Sequence, residues 1–350
     1  MKKIYYSIFI LFILLVFSCK RERVHIEYKT ILIDFSESKG IDISNHIEFG
    51  IEEIFLEVTD YSLLIHIQQI ELRDNKVFIF DMNRLLVFDT DGRFLNQIGR
   101  IGSGPGEYIR IGSFFFEGNN ISLYDTALRK IFTYDTNGNF IQSRTVGESV
   151  SSIHPISNGK FIGRRNYQGS RTRTPTLAIL DENLNFIAAT DNRLLTSGVT
   201  TFDHLHSFND NVLYWELLND TIFSVVNSQL HPKYHIDFQA YRIPHRVRRS
   251  RDIPEILNYI SSSSSTFAYI AGYVQENATY IRFMVNFGGI RHYVRYNKQT
   301  EEVFLRHFYD SENILSTYIF MKYNEGRIIL AAYDIEDEYN NYRLLLINDI

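Results

Sequence analysis

Cysteine is almost absent from this 350-residue chain, which has one. A single cysteine excludes a disulfide framework, which needs pairs, and the multi-cysteine spacings of structural zinc sites. Proline is scarce at 6 residues, and tryptophan occurs once. No proline-rich or glycine-rich linker divides the sequence, and its one low-complexity stretch is the serine run Ser261–Ser265. A basic excess is also missing: the net charge of −5 at pH 7 excludes the electrostatic footprint of a nucleic-acid binder. Catalytic signatures are lacking too. There is no Gly-x-Ser-x-Gly elbow, His-Glu-x-x-His helix or dinucleotide glycine motif in a supporting context. The acidic pairs Glu52-Glu53 and Glu301-Glu302 alternate faces on a strand and do not converge. The main apolar run, Ile4–Phe17, spans 14 residues, short of the roughly 20 needed to cross a bilayer as a helix.

What that run does fit is export. Lys2 and Lys3 precede it, and the small Ser18 and then Cys19 follow it, the layout of a secretory signal. The stretch Leu15-Val16-Phe17-Ser18-Cys19 resembles a bacterial lipobox, in which the cysteine is lipidated and becomes the new N-terminus. The alternative is an ordinary signal peptide with a chance cysteine. Acylation would remove the anomaly of a lone thiol in an oxidising compartment and would fix the chain to a membrane. The expected organisation is a lipoprotein signal peptide over 1–18, a tether over 19–27 behind a lipidated Cys19, and one domain over 28–350. The segment Lys20-Arg21-Glu22-Arg23 lacks the acidic pattern that sends some Gram-negative lipoproteins to the cell surface. The expected location is therefore the outer membrane, facing the periplasm.

The remaining sequence is rich in aromatics, with 23 Tyr and 27 Phe, as β-sheet surfaces are. It also repeats. Val77-Phe78-Ile79-Phe80-Asp81 leads into Leu85–Asp89 and an Asp91-Gly92 turn; Ile121-Ser122-Leu123-Tyr124-Asp125 leads into Ile131–Asp135 and Asn137-Gly138. Each unit reads as strand, polar turn, strand, Asx-Gly turn, strand. An Asx-Gly hairpin predicts positive φ at both central residues. The same beat recurs less clearly, placing turns at 92, 138, 183, 228, 298 and 348, with steps of 46, 45, 45, 70 and 50 residues. Steps near 45 with three or four short strands are those of propeller blades; a sandwich demands no fixed period, and β-helix rungs are far shorter. Six turns predict an all-β, six-bladed β-propeller. The long step predicts an insertion between blades four and five, with a short amphipathic helix starting at Asp252 and Pro254. Ring closure requires an N-terminal strand, from Thr30–Phe35 or Glu53–Val58, to pair with the C-terminal blade.

The segment Gly99–Tyr108 between the first two blades resembles the glycine-rich inter-blade loop of NHL-type repeats. Together with Ile54–Glu57, the Val87-Phe88-Asp89-x-Asp91-Gly92 hairpin and Tyr234–Phe238, it resembles the six-bladed β-propeller family of bacterial envelope lipoproteins. That resemblance implies fold and envelope location and carries no catalytic motif.

Four groups of residues merit weighing as sites. Gly104, Pro105, Gly106, Glu107 and Tyr108 could cradle an anion with backbone N–H groups, or simply form a tight crossover in which glycine supplies positive φ. Asp81 and Asp125 end equivalent strands and could ring the axis to bind a cation or sugar hydroxyls, or cap turns as Asx residues. His204 and His206 share one face of a strand, as a metal pair would, but lack a third ligand at recognisable spacing, so no metal is assigned. Arg246 and Arg248 belong to a basic run over 242–251 that could contact phosphates or an acidic partner, or be a solvated loop. Of Phe114, Phe115 and Phe116, one is expected at the rim of the ring, because three consecutive strand residues cannot all face inward.

No cofactor is implied. The expected function is a non-catalytic binding or scaffold module, held to the membrane by its N-terminal lipid and engaging an envelope protein or glycan partner. The alternative is a carbohydrate-active lyase or hydrolase with its site at the propeller axis, and a weaker one is a sensor that signals through protein contact.

Overall fold

The computed structural model describes residues 28–165, 177–190, 205–208, 211–248, 250, 252, 254, 258–259, 266–312, 315–324, 326–334 and 342–349. Cys19, the signal segment and His204 lie outside these residues. The repeat forms six blades around one axis. Blade 1 is Ile67–Arg73, Lys76–Asp81, Arg84–Asp89 and Phe94–Ile98, paired antiparallel in sequence order. Blade 2 is Ile111–Glu117, Asn120–Asp125, Lys130–Tyr134 and Phe140–Thr145. Blade 3 is Ser152–Pro155, Phe161–Arg164, Leu177–Leu180 and Phe186–Ala189. Blade 4 is Leu205–Phe208, Asn211–Tyr214, Thr221–Val226 and Gln229–Asp237. Blade 5 is Ala268–Glu276, Tyr280–Phe287, Ile290–Asn297 and Val303–Tyr309. Blade 6 takes only three strands from the C-terminal region, Leu315–Asn324, Arg327–Asp334 and Arg343–Asn348.

The packing explains why strands read as unbroken apolar runs rather than alternating ones. Each blade is covered on both faces, so both side-chain sets must be apolar. In blade 1, Val77 and Ile79 enter the core shared with blade 6, while Phe78 and Phe80 enter the core shared with blade 2. Blade 2 repeats the division: Phe114 points to blade 1, against Phe80, and Phe115 points to blade 3, against Phe161. Six separate hydrophobic cores result, one for each seam of the ring. None can form from one blade alone, which ties the stability of each wedge to its neighbours.

Closure uses the N-terminal segment. Glu52–Phe55 is the fourth, outermost strand of blade 6, antiparallel to the third, with Arg343 opposite Phe55 and Leu346 opposite Glu52. The more N-terminal candidate goes elsewhere. Lys29–Leu32 runs parallel along the outer strand of blade 4, and Lys39–Asp42 runs parallel along that of blade 5. The N-terminal segment is thus a strap over the outer edges of three successive blades. Its alternate residues Ile31, Ile33, Ile41 and Ile43 are buried in the seams beneath. These covered edges are no longer templates for further strand pairing.

The hairpins differ from expectation in one respect. Gly92 (φ 87°) and Gly138 (φ 84°) are left-handed, but Asp91 and Asn137 are not. The connection is a longer turn with a bulge: Phe88 pairs with Phe94 and Tyr134 with Phe140 after a register shift. Asp89 holds it by accepting from the backbone N–H of Asp91 and Arg93 at 3.0 and 2.8 Å, as Asp135 does from Asn137 and Asn139. Blade 3 makes the same turn through Asp181 with Leu184 (φ 65°) in the glycine position. Leu184 is buried in the core between blades 2 and 3, which compensates the backbone cost. Asn348 ends the third strand of blade 6, which pairs with Glu52–Phe55 as the fourth.

The long step does contain an insertion with helical residues between blades 4 and 5. The helix described without interruption is His245–Arg248, earlier than expected, begun by Pro244, whose carbonyl accepts from Val247 and Arg248. Pro254, Asn258 and Tyr259 are also helical. Val247 packs with Leu218 and Ile243 in a small core beneath the insertion.

Candidate functional site

The first strand of every blade is the innermost, and the first strands of blades 2 and 3, 4 and 5, 5 and 6, and 6 and 1 pack against one another around the axis. Their arrangement leaves an axial cavity of about 220 Å³. Blade 1 contributes Gln69 and Glu71, blade 2 Phe114–Phe116, blade 3 His154–Ile156, blade 4 Leu205–Ser207, and blade 5 Tyr273 and Gln275. The cavity has two sides. Blades 5 and 1 present amide, carboxylate and phenol groups; blades 2 to 4 present mainly apolar ones, with Ile162 and Val212 behind the first strands. Among the described lining residues, Glu71 is the one carboxylate, and there is no lysine or arginine.

The polar groups are held in place. Gln69 Nε2 donates to Glu71 Oε1 at 3.1 Å. Gln275 Oε1 accepts from the backbone N–H of Tyr323 at 2.9 Å, which commits its carbonyl to blade 6. His206 Nε2 lies 3.1 Å from the carbonyl oxygen of Glu276. The half-buried His154 looks into the cavity rather than into bulk solvent, and desolvation pushes its imidazole down to about 4. It is neutral at physiological pH. Phe114, Phe115 and Phe116 all border the cavity while their faces stay in the seams, so none is confined to an outer rim.

The residues singled out from the sequence occupy different surroundings. Asp81 is completely buried and accepts from the N–H groups of Ile65 and His66 at 2.9 and 2.6 Å and from Arg84 at 2.5 Å. Asp125, also completely buried, accepts from the N–H groups of Ile109, Arg110, Ala127 and Leu128. Both carboxylates knit the loop entering the first strand to the turn after the second, and neither lines the cavity. The glycine loop does hold an anion, but that anion is its own Glu107. Glu107 Oε2 accepts from Gly104 N at 2.7 Å and Oε1 from Arg100 Nε at 2.6 Å. The Gly104 N–H and then the Arg100 guanidinium hold that carboxyl below the usual range. Gly106 (φ 74°) passes over Phe140 so closely that a Cβ would lie 2.5 Å from the ring, and its carbonyl accepts from Tyr134 at 2.8 Å. Tyr108 is buried below, its phenol pushed up to about 12 by burial. The basic run divides. Arg242 and Arg248 turn inward onto the buried Asp220 at 2.5 and 3.0 Å, while Arg246 is exposed. Of the histidine pair, His206 reaches the cavity; His204 lies outside the described residues. No group of three metal-ligating side chains occurs among the described residues.

Two further ionic clusters escaped the sequence reading. Glu276 accepts from Lys233 at 2.7 Å, Tyr234 at 2.7 Å and Lys298 at 3.2 Å, across the seam between blades 4 and 5. Burial alone would raise its carboxyl, but these donors outweigh it and hold it below the usual range. Asp349, next to the last residue, accepts from Arg282 at 3.1 Å, Arg295 at 2.8 Å and Tyr293 at 3.2 Å across the seam between blades 5 and 6. The cavity residues Gln69, Glu71, His154 and Gln275 were also missed. Their signal was polar side chains interrupting the first strand of a blade, at alternate positions in blade 1, where a packed propeller needs apolar ones.

The model of a family described as "Domain of unknown function (DUF4934)" matches residues 30–349. No curated protein matches the sequence. Among solved structures, a candidate exported protein from Bacteroides fragilis superposes with a TM-score of 0.68 at 20% identity, covering 92% of this chain and 99% of that one. A member of the DUF4221 family from Bacteroides vulgatus gives 0.54 at 8% identity, covering 85% and 96%. At these identities the likeness concerns the fold. No helix among the described residues is long and apolar enough to cross a membrane.

Proposed function

The chain belongs to the DUF4934 family of domains, matched over nearly the whole propeller, and on that premise we propose that it is a non-catalytic binding module of the bacterial cell envelope. It is tethered to the outer membrane through a lipid on Cys19 and faces the periplasm, with an envelope protein or glycan as partner. The observation that carries this reading is the axial cavity, two-sided in polarity and formed jointly by five blades. A closed ring that leaves a small, partly polar concavity at its centre has the form of a ligand site. The exported neighbour with the same fold supports the envelope assignment, as does the lipobox-like Leu15–Cys19.

The carbohydrate-active alternative is less well served. Glycoside hydrolysis ordinarily uses two carboxylates flanking the bond, and the described cavity wall offers Glu71 alone. The test is crosslinking in cells with a photoreactive residue in place of Ser207 at the cavity wall, alongside fractionation of a Cys19→Ser variant. Envelope proteins or glycans captured at residue 207, with loss of Cys19→Ser from the membrane fraction, are expected. Turnover of a glycan by the purified protein would overturn the non-catalytic reading, and unchanged membrane retention of Cys19→Ser would overturn the lipid tether.

A further inference from the structure

We propose that one end of the ring, over blades 1 and 2, docks an envelope protein through an apolar patch that the chain leaves uncovered. Antiparallel order puts two kinds of connection at opposite ends of a blade. The turns between first and second strands, and between third and fourth, lie at one end; the turns between second and third strands and the passages from blade to blade lie at the other. In blades 1 and 2 the first end is polar, as solvated turns are: residues 74–75, 91–92, 118–119 and 137–138 are all Asp, Asn or Gly. The second end is not. Tyr61, Leu63, Ile65, Met82, Ile109 and Leu128 stand out from it, 74, 45, 65, 50, 46 and 38% exposed.

Hydrogen bonds make these residues one surface. Arg84 donates to the carbonyls of Tyr61 and Leu63 at 3.2 and 2.7 Å, and Met82 N to that of His66 at 3.2 Å. Asn83 Nδ2 donates to the Ile109 carbonyl at 2.9 Å, and Asp125 accepts from both Ile109 N and Leu128 N. Loops pinned in this way present the patch preformed, without the ordering cost of a mobile surface. Its exposure is no by-product of packing. Ser62 and Leu64 are buried, so the segment 61–65 alternates and turns its three largest apolar alternates to solvent. Met82 is left-handed at φ 54°, a conformation that costs Gly or Asn least. At Leu184 burial compensates that cost; at the half-exposed Met82 nothing in the ring does. An unbranched, adaptable side chain there suits a surface that a partner covers.

The size and the charge identify the occupant. The six side chains expose on the order of 500 Å² between them, as much as the largest patch of a typical monomer. That is the apolar centre of the roughly 800 Å² one partner contributes to a stable protein interface. The choice of protein over lipid rests on the lipid tether of the proposed function: the chain reaches the ring at Lys29–Leu32 on blade 4, across the axis from blade 1, which leaves the patch on the far side from the anchor. Arg110 and Arg129, next in sequence to Ile109 and Leu128, are exposed beside the patch, and Asp60 stands next to Tyr61. The excess is basic, so the partner's rim is acidic. A two-fold pairing of copies would set these arginines against themselves.

The experiment places a photoreactive residue at Ile65 or at Leu128 in the full-length protein in cells, with Asn119 at the polar end as the control. One envelope protein is expected to be captured at both patch positions and not at 119. That protein, purified, is then titrated onto the detergent-extracted mature chain. Tyr61→Asp and Ile65→Asp should each weaken binding by about 10-fold or more. Arg129→Glu should slow association by about 3-fold and reduce its salt dependence, with little effect on dissociation. Melting curves verify that each variant is folded. Equal capture at 119, or binding indifferent to both Tyr61→Asp and Ile65→Asp, overturns the inference. So does lipid, or a second copy of this chain, as the sole adduct at residue 65, and so does the lack of any adduct there. Capture at residue 65 without capture at residue 207 leaves this surface standing and overturns the axial cavity as the place where a protein binds; capture at residue 207 alone does the reverse.

Discussion

Three glycines separate the cost of backbone conformation from the cost of ring closure. Gly118, Gly138 and Gly92 all have positive φ, at 62°, 84° and 87°. An added Cβ at Gly118 meets nothing within 4 Å; at Gly138 it comes to 3.0 Å from the Gln97 carbonyl; at Gly92 it comes to 1.9 Å from the carbonyl oxygen of Phe55. Phe55 ends the strand that closes the ring, and the contact is mutual, since Glu57 N donates to Gly92 O at 2.8 Å and Phe94 N to Glu57 Oε2 at 2.7 Å. Alanine at any of these positions costs about 1–2 kcal/mol for left-handed φ, less about 0.4–1 for stiffening the unfolded chain. Gly118→Ala should therefore lose about 1 kcal/mol or less, and Gly138→Ala slightly more. Gly92→Ala adds a backbone overlap that no rotamer can relieve, about 1–3 kcal/mol further, and the strain falls on the pairing of Phe55 with Arg343. The assay is urea unfolding of the three variants, with the slope m compared to check that the same surface unfolds, and hydrogen exchange over 52–58 and 343–348. Equal destabilisation of Gly92→Ala and Gly118→Ala, or unchanged exchange in the closing strands, would refute the claim that this hairpin props the closure.

Asp349→Ala takes from Arg282 and Arg295 the carboxylate they share at a buried seam, so unfolding should cost about 3–5 kcal/mol less, whereas Arg327→Ala, at an exposed pair with Glu52, should change it by under about 1 kcal/mol. His292 is buried and its imidazole is pushed down to about 4 by desolvation; because the unfolded chain takes up that proton first, the stabilising contribution is complete above about pH 6.5 and is lost as pH falls towards 4, up to about 2 kcal/mol at pH 5. Denaturation midpoints of the wild type and His292→Gln at pH 7 and pH 5 check it: the variant should show a shallower decline. Glu107→Ala empties the glycine loop of its own anion, and phosphate titrated into the variant should move the Gly104 amide resonance, which it should not do in the wild type.

The ring was legible because its signal is collective. Val77–Asp81 and Ile121–Asp125 repeat with their turns, and a wedge that is apolar on both faces has no stable form outside a ring. The closing strand was legible for the same reason, as an unpaired strand looking for an edge. What the strap does with Lys29–Leu32 and Lys39–Asp42 was not, because parallel addition to an outer edge leaves no local pattern: Ile31 and Ile41 are chosen by seams about 200 and 260 residues away. Turn geometry was half legible. Asp-Gly named the hairpin, but whether one or two residues are left-handed depends on the bulge at Phe88, and Leu184 shows that burial can put a branched side chain where the turn favours glycine.

The candidate site was harder to read because the strongest local signals serve the scaffold. Carboxylates that end strands, such as Asp81 and Asp125, must satisfy the N–H groups of the loops that cross between blades. A glycine loop that can hold an anion is most stable if the chain supplies one, as Glu107 does. Inside a packed propeller the informative residues are instead those with no packing reason to be polar: Gln69 and Glu71 on a first strand, His154 near the end of another, Gln275 beside a seam. These groups come from three blades, spread over some 200 residues of sequence. Only the ring brings them together, so the fold has to be read before the site can be.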